Sequence, residues 1–455
     1  MDGWVQDELG GADLGDARLN RRLRQIVQAL SAQPETSVPQ ASGSWAATKA
    51  TYRFWDHAAL TADALLAPHV AQTVARCQAQ PRVLAVQDTS VFNFSGHPAT
   101  RGLGPSSNGQ GQGLLVHTAL AVSLDGVPLG VLHQATWTRT ATRPNHRRNR
   151  TTAAKESQRW LTALQTTQTV LPTDVGVITV ADREADLYDL FAQPRRPGSD
   201  LLIRASQNRR VDAAEGWLWD AIRAVPVAGE LTVAVPRHDD QPARTARVSV
   251  RWRTLAWQPP RHRKGGRAGL APLPLQIVLA EEVDPPSAKE RLRWLLVTTL
   301  PVTSWADAVQ VLTWYALRWR VERFHFVLKS GCQIEQLQLA HVDRLTRALA
   351  TYSIVAWRLL WLTYAARQAP EQPCTVGLTT AEWQVLHQTQ LPHQPLPAQP
   401  PSLQQAVRWL AQLGGFLART GDGDPGLKTL WRGLRRLADL LAGWQLAYPV
   451  PAAPT

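Results

Sequence analysis

The 455-residue sequence predicts a mixed α/β fold: an α/β core, a strand-rich stretch set into it, and helical segments at both ends. Three observations predict this. Between residues 71 and 205, short apolar β-branched runs alternate with segments of helical periodicity. Between 206 and 300, four strand-like runs follow one another and interrupt the α/β pattern. Before residue 71 and after Pro370, apolar residues recur at helical spacing. A chain of this length is expected to form about three domains.

The elements follow in order. Leu19, Leu23, Ile26 and Leu30 make a helical apolar stripe, with Arg18, Arg21, Arg22 and Arg24 around it. A second helix over 45–55 carries Lys49, Tyr52 and Arg53. These cations read equally as a solvated face or as a contact for a polyanion. A helix then precedes a strand over 83–87 that ends in Asp88. Residues 96–113 are glycine-rich without phosphate-loop spacing and read as a mobile loop. Residues 114–122 and 128–134 predict a hairpin around Asp125-Gly126. A helix near 155–164 leads to a second strand, 177–181, which ends in Asp182 and runs into Arg183-Glu184-Ala185-Asp186. Residues 201–203 form another short strand, and strands are expected over 231–235, 246–252, 276–280 and 293–299. The basic tracts 139–150 and 261–267 read as loops. Residues 391–401 form a proline-rich linker, flanked later by helices over 406–413 and 430–441.

One segment concentrates polar chemistry. A helix turns about 100° per residue, so Tyr315, Arg318, Glu322 and Lys329 share an arc of roughly 60° on one continuous helix. Leu317, Val321, Phe324 and Leu328 fall opposite. A carboxylate in such a ridge holds a metal; cations and a phenol hold phosphate oxygens. The alternative is an amphipathic helix with a solvated face. Asp88 and Asp182, each closing a buried strand, sit where a site forms at a sheet edge. With Glu322 they supply the hard oxygen ligands that Mg²⁺ or Mn²⁺ prefers. A pair of such ions activates a water or a 3′ hydroxyl against a phosphodiester. Each aspartate alone reads as well as a turn or cap; Asp182 could cap a helix over 183–191. Glu184 and Asp186 are second-choice carboxylates.

These motifs resemble the cut-and-paste DDE transposases of the bacterial insertion-sequence group typified by the transposon-five enzyme, the IS-four family. Tyr315, Arg318, Glu322 and Lys329 meet the family's Tyr-x2-Arg-x3-Glu-x6-Lys pattern. Residues 182–186 resemble the segment of its second catalytic aspartate, and Asp88-Thr89 the first. Similarity continues through His117, residues 132–134, 279–282 and 294–296, and 413–417. The resemblance implies a ribonuclease H-like catalytic core with a β-rich insertion. It divides the chain into a DNA-binding module (1–70), a first core part (71–205), the insertion (206–300), a Glu-bearing helix and its successor (301–369), and a helical dimerisation region (370–455). It implies Asp88, Asp182 and Glu322 as catalytic metal ligands for two Mg²⁺ or Mn²⁺ ions. Tyr315, Arg318, Lys329 and Arg204 become DNA contacts, with Arg147 and Arg148 as phosphate trackers. Trp294 matches the base-stacking tryptophan, although Leu292, Trp294 and Leu296 also alternate as core residues of a strand. The expected activity is DNA cleavage, hairpin formation and strand transfer by a homodimer bound to double-stranded DNA, at transposon ends and target. A nuclease or resolvase on the same fold, or an inactive transposase-derived repressor, are the alternatives.

Composition agrees. The net charge is +13, carried mainly by arginine, which suits bidentate phosphate contacts. Cys77, Cys332 and Cys374 lack disulfide-framework or zinc spacing. Residues 1–4 lack a signal pattern, and the most apolar helix, 352–366, is short and interrupted by Arg358. A cytoplasmic, nucleoid-associated protein is expected, with no membrane partner and no small-molecule cofactor.

Overall fold

The computed structural model describes residues 3–106, 111–140, 155–235, 244–260, 270–287 and 291–447. Among them, ten strands form one sheet: β1 (Arg82–Asn93), β2 (Gly104–Pro105), β3 (Gln112–Val122), β4 (Pro128–Trp137), β5 (Gly176–Ala181), β6 (Ser199–Arg204), β7 (Gly229–Val235), β8 (Arg244–Trp257), β9 (Leu273–Glu282) and β10 (Arg293–Thr298). The order is β2-β3-β1-β5-β6-β10-β9-β8-β7, with β4 also on β3. β1, β3 and β4 form an antiparallel meander, while β5 and β6 run parallel to β1. Parallel strands are covered on both faces, which explains the unbroken apolar runs that marked them in the sequence.

The strand-rich stretch does not form a layer of its own. β10 pairs antiparallel with β6 through Leu296↔Arg204, Val297↔Ile203 and Thr298↔Leu202, so β10, β9, β8 and β7 extend the core sheet. Side chains alternate along these strands. Leu202, Val278 and Leu296 enter the largest core; Leu201, Leu279 and Leu295 enter a second.

The N-terminal helices share the largest core instead of standing apart. Helix Ala17–Ala32 buries Leu23, Ile26 and Leu30, and helix Trp45–Asp56 buries Phe54 and Trp55. The Trp55 indole donates to Thr351 Oγ1 at 3.2 Å. Buried Glu8 meets His69 at 2.5 Å and Arg76 at 2.7 Å. Helix Val342–Gln368 runs through this core. Arg358 does not interrupt it: the guanidinium is buried, donates to the Gly377 carbonyl and stacks over Trp4 at 4.4 Å. No described helix is long and apolar enough to cross a membrane.

The glycine-rich stretch is partly structured, because Gly104 and Pro105 pair with Gly113 and Gln112. The predicted hairpin is present. Gly126 at its tip has φ 95°, a left-handed value that favours glycine. A Cβ there would meet Leu317 and Arg320, and the Arg320 Nε–H donates to the Gly126 carbonyl at 2.9 Å. The tip thus braces the segment that carries Glu322.

Candidate active site

The sheet register brings the two strand aspartates together. β1 and β5 run parallel from Arg82↔Gly176 to Gln87↔Ala181, so Asp88 and Asp182 occupy the next rung. Neighbouring strands lie about 4.8 Å apart. β5 stops there and Asp182 begins a 3₁₀ turn, Arg183–Ala185, accepting from Glu184 N at 2.9 Å. Asp182 thus caps this turn while lying beside Asp88. β1 does not end at Asp88, contrary to the sequence reading; it continues to Asn93 because β3 keeps pairing with it, including Asp88↔Thr118.

The predicted continuous helix is three pieces. Helix Trp305–Ala316 ends after Tyr315, a turn at Leu317-Arg318 follows, and helix Trp319–Phe326 carries Glu322. Lys329 lies in a π-helical turn, Val327–Gly331. Nor is the polar ridge a solvated face: Tyr315 and Arg318 are buried. Arg318 grips Glu322 at 2.6 Å. The Lys329 ammonium reaches back to β1 and donates to the Val91 carbonyl at 2.7 Å. The Tyr315 hydroxyl has no partner of good hydrogen-bond geometry among the described residues, although Arg318 and Arg204 flank it.

The charges report on one another. Burial pushes the Asp182 carboxyl up, and the Asp88 charge adds to the rise against the Glu184 amide and Arg318. Burial likewise raises Glu322; Arg318 opposes it, while Asp88 and Asp182 reinforce it. Burial opposes the charge on Arg318, but Tyr315, Glu322 and Asp88 outweigh it and its pKa rises. Desolvation lowers Lys329 against the pull of Glu335 and Asp88. A concentration of carboxylates that repel one another is the environment a hard divalent cation relieves. Among the described residues no three His, Cys, Asp or Glu side chains stand at metal-holding separations. Glu322 is turned onto Arg318. The carboxylates are of the donor type a hard cation takes, but in this arrangement Glu322 is held in an ion pair with Arg318 and the three do not converge on one point.

Several neighbours escaped the sequence reading. His325 Nδ1 lies 3.5 Å from Asp88 Oδ2, and its Nε2 lies 3.2 Å from Thr118 Oγ1. Its position three residues after Glu322 was the available signal, since such residues share a helix face. Arg159, from helix Gln158–Val170, donates to Thr89 Oγ1 at 2.8 Å and pairs with Glu184 at 2.6 Å. Nothing local in the sequence marks it. Asp186 is anchored elsewhere: it accepts from Ser206 N, Gln207 N and Arg209, tying down the loop after β6.

Trp294 is half-buried and meets the Tyr315 ring edge-on, centroids 5.5 Å apart. It also packs on the largest core, so it adjoins both the site and the interior. Arg204 ends β6, donates to the Arg293 carbonyl at 2.7 Å and is depressed by burial beside Tyr315. Arg147 and Arg148 lie outside the described residues.

Residues 115–358, more than half of the chain, match the transposase DDE domain family. The chain belongs to the DDE transposases. Residues 1–60 match a transposase DNA-binding domain, and 354–450 the transposase Tn5 dimerisation domain, which together place it with the Tn5-like members. The DDE domain carries the ribonuclease H-like core and divalent-metal-dependent phosphodiester cleavage and strand transfer. This transposase binds DNA through its N-terminal domain and dimerises through its C-terminal one. The DDE match contains Asp182 and Glu322; Asp88 precedes it.

Proposed function

We propose that this transposase binds the terminal inverted repeats of its own element and excises it through paired hairpins, using Asp88, Asp182 and Glu322 as the ligands of two Mg²⁺ or Mn²⁺ ions. The observation that carries the reading is the shared rung of Asp88 and Asp182, with Glu322 electrostatically coupled to both. When bound, the ions supply an activated water or 3′ hydroxyl and stabilise the leaving oxygen. Arg318 and Tyr315 stand beside the carboxylates to hold phosphate oxygens, the guanidinium by charge-assisted hydrogen bonds. His325 and Arg159 orient the Asp88 region through Thr118 and Thr89. Water attack frees a 3′ hydroxyl, whose attack on the opposite strand closes a hairpin. A second water reopens it, and the same hydroxyl then joins target DNA.

The test uses purified full-length protein, DNA flanking its own gene and Mg²⁺, resolved on a denaturing gel. Nicks at the element boundary followed by hairpins are expected. Cleavage of generic branched DNA instead would make the protein a nuclease, and binding without cleavage a repressor.

End recognition is assigned to an exposed face of helix Trp45–Asp56. Trp45, Lys49 and Arg53 recur every fourth residue there, and Trp45 is 77% exposed. Lys49 and Arg53 line a groove with Arg18 and Arg22, and Asp16 in the same groove pairs with Arg18. Replacing Lys49 and Arg53 with alanine is expected to lower affinity for the specific end by about tenfold or more and to narrow its margin over scrambled DNA. A mobility-shift titration against both sequences measures it; an unchanged margin places recognition elsewhere. The dimer is assigned to the DNA-bound state, with exposed Leu440 and Leu446 on helix Leu427–Ala447 as apolar contacts.

A further inference from the structure

A second basic site lies beside the carboxylates. Arg183, Arg204, Arg223 and Arg293 converge on a cavity of about 450 Å³. Arg183 immediately follows Asp182, and Arg204 flanks Tyr315, so the cavity adjoins the active site at the same end of β5 and β6. β10 separates two environments: Trp294 faces Tyr315, while its neighbours Arg293 and Leu295 line the cavity.

The arginines are incompletely neutralised. Glu281 is 3.3 Å from Arg223 and 3.9 Å from both Arg293 and Arg291, so one carboxylate serves three guanidiniums. Asp220 is the acid in the lining. The Trp219 ring carries Arg223 at 4.9 Å and Arg293 at 5.0 Å from its centroid. Such stacking fixes a guanidinium plane while leaving its N–H edge free to donate. Both side chains remain nearly half-exposed despite these contacts.

We propose that this cavity is a phosphodiester clamp for the DNA strand that leaves the carboxylate cluster, with Arg223 and Arg293 as the phosphate-binding groups and Trp219 as the residue that positions them. The inference rests on the proposed location of the active site for the identity of the strand, but clamping itself needs neither metal nor cleavage. A guanidinium can offer two parallel donors to a phosphate, and the single Glu281 carboxylate, shared among three guanidiniums, does not cancel their charge.

The test measures affinity of full-length protein for its own end DNA, in EDTA, over a range of salt. Arg223→Gln with Arg293→Gln should weaken binding about tenfold or more and lower the salt slope by about one for each phosphate no longer neutralised. Trp219→Leu keeps both charges; it should weaken binding with a smaller change of slope. Arg223→Lys with Arg293→Lys should restore the slope but only part of the affinity. Arg82→Gln, a partly exposed arginine at the start of β1 and six residues before Asp88, controls for general charge loss. Melting curves confirm that each variant is folded. Unchanged affinity and slope in the double glutamine variant, or a loss no larger than for two general surface charges as gauged by Arg82→Gln, overturns the proposal. Because no metal is present, the result is independent of whether the assigned carboxylates prove necessary for cleavage.

Discussion

Asp88→Asn, Asp182→Asn and Glu322→Gln each stop strand cleavage while end binding persists. Outer-shell partners of metal ligands already contribute about 10–100-fold, so losing a ligand should cost at least about a hundredfold. Two of these substitutions, Asp182→Asn and Glu322→Gln, carry a stability signature of opposite sign. The carboxyls of Asp182 and Glu322 are raised by burial and by neighbouring negative charge. A carboxyl with a folded pKa above its unfolded value holds its proton more tightly when folded. Stability is therefore lost as pH rises from the unfolded pKa through the folded one, and it stays lost at neutral pH. Asp182→Asn and Glu322→Gln should melt higher than the parent at pH 7 and lose that advantage below both pKa values. Mg²⁺ should raise the melting temperature of the parent and have little effect on these variants, because a ligand stabilises only the state it binds. Normal cleavage by any one variant removes that residue from the site.

Trp294→Ala should slow hairpin closure more than the first nick. The nick needs a positioned phosphodiester, whereas closure also needs a base unstacked at a cost of about a few kcal/mol. The edge-on contact with Tyr315, worth about 0.5–1.5 kcal/mol, places the indole beside a phosphate-holding group. The ring is half-buried, so one part of it remains for a base. If Trp294 served the core alone, truncation would cost about 3–5 kcal/mol of stability and depress every step equally. Time courses that separate nick from hairpin, read beside a melting curve, distinguish the two. Equal slowing with a large fall in melting temperature would sink the stacking role.

Periodicity and composition by themselves determined much of this protein: the α/β class, the strands that lead to Asp88 and Asp182, the hairpin around Gly126 and the helical ends. Those features are local. Two buried strands read as apolar runs wherever they occur, and a hairpin declares itself by a glycine that tolerates positive φ. The Tyr315–Lys329 spacing singled out the polar residues of the Glu322 segment, while mistaking its backbone for one helix. The π-helical turn from which Lys329 reaches the Val91 carbonyl packs on helix Val342–Gln368, contacts that periodicity does not encode.

Tertiary structure alone decided the rest. The register of β1 against β5 sets Asp88 beside Asp182, and hydrogen bonds between strands remote in sequence fix that register. Pairing of β10 with β6 turns an apparent insertion into an extension of the core sheet. Arg159 reaches the site across 70 residues of sequence, and the basic cavity gathers arginines from four separate elements. Contacts of this kind arise when the chain closes on itself, so their partners leave no shared period or spacing to read. A linear sequence carries the chemistry of each such side chain; only the fold assigns it a neighbour.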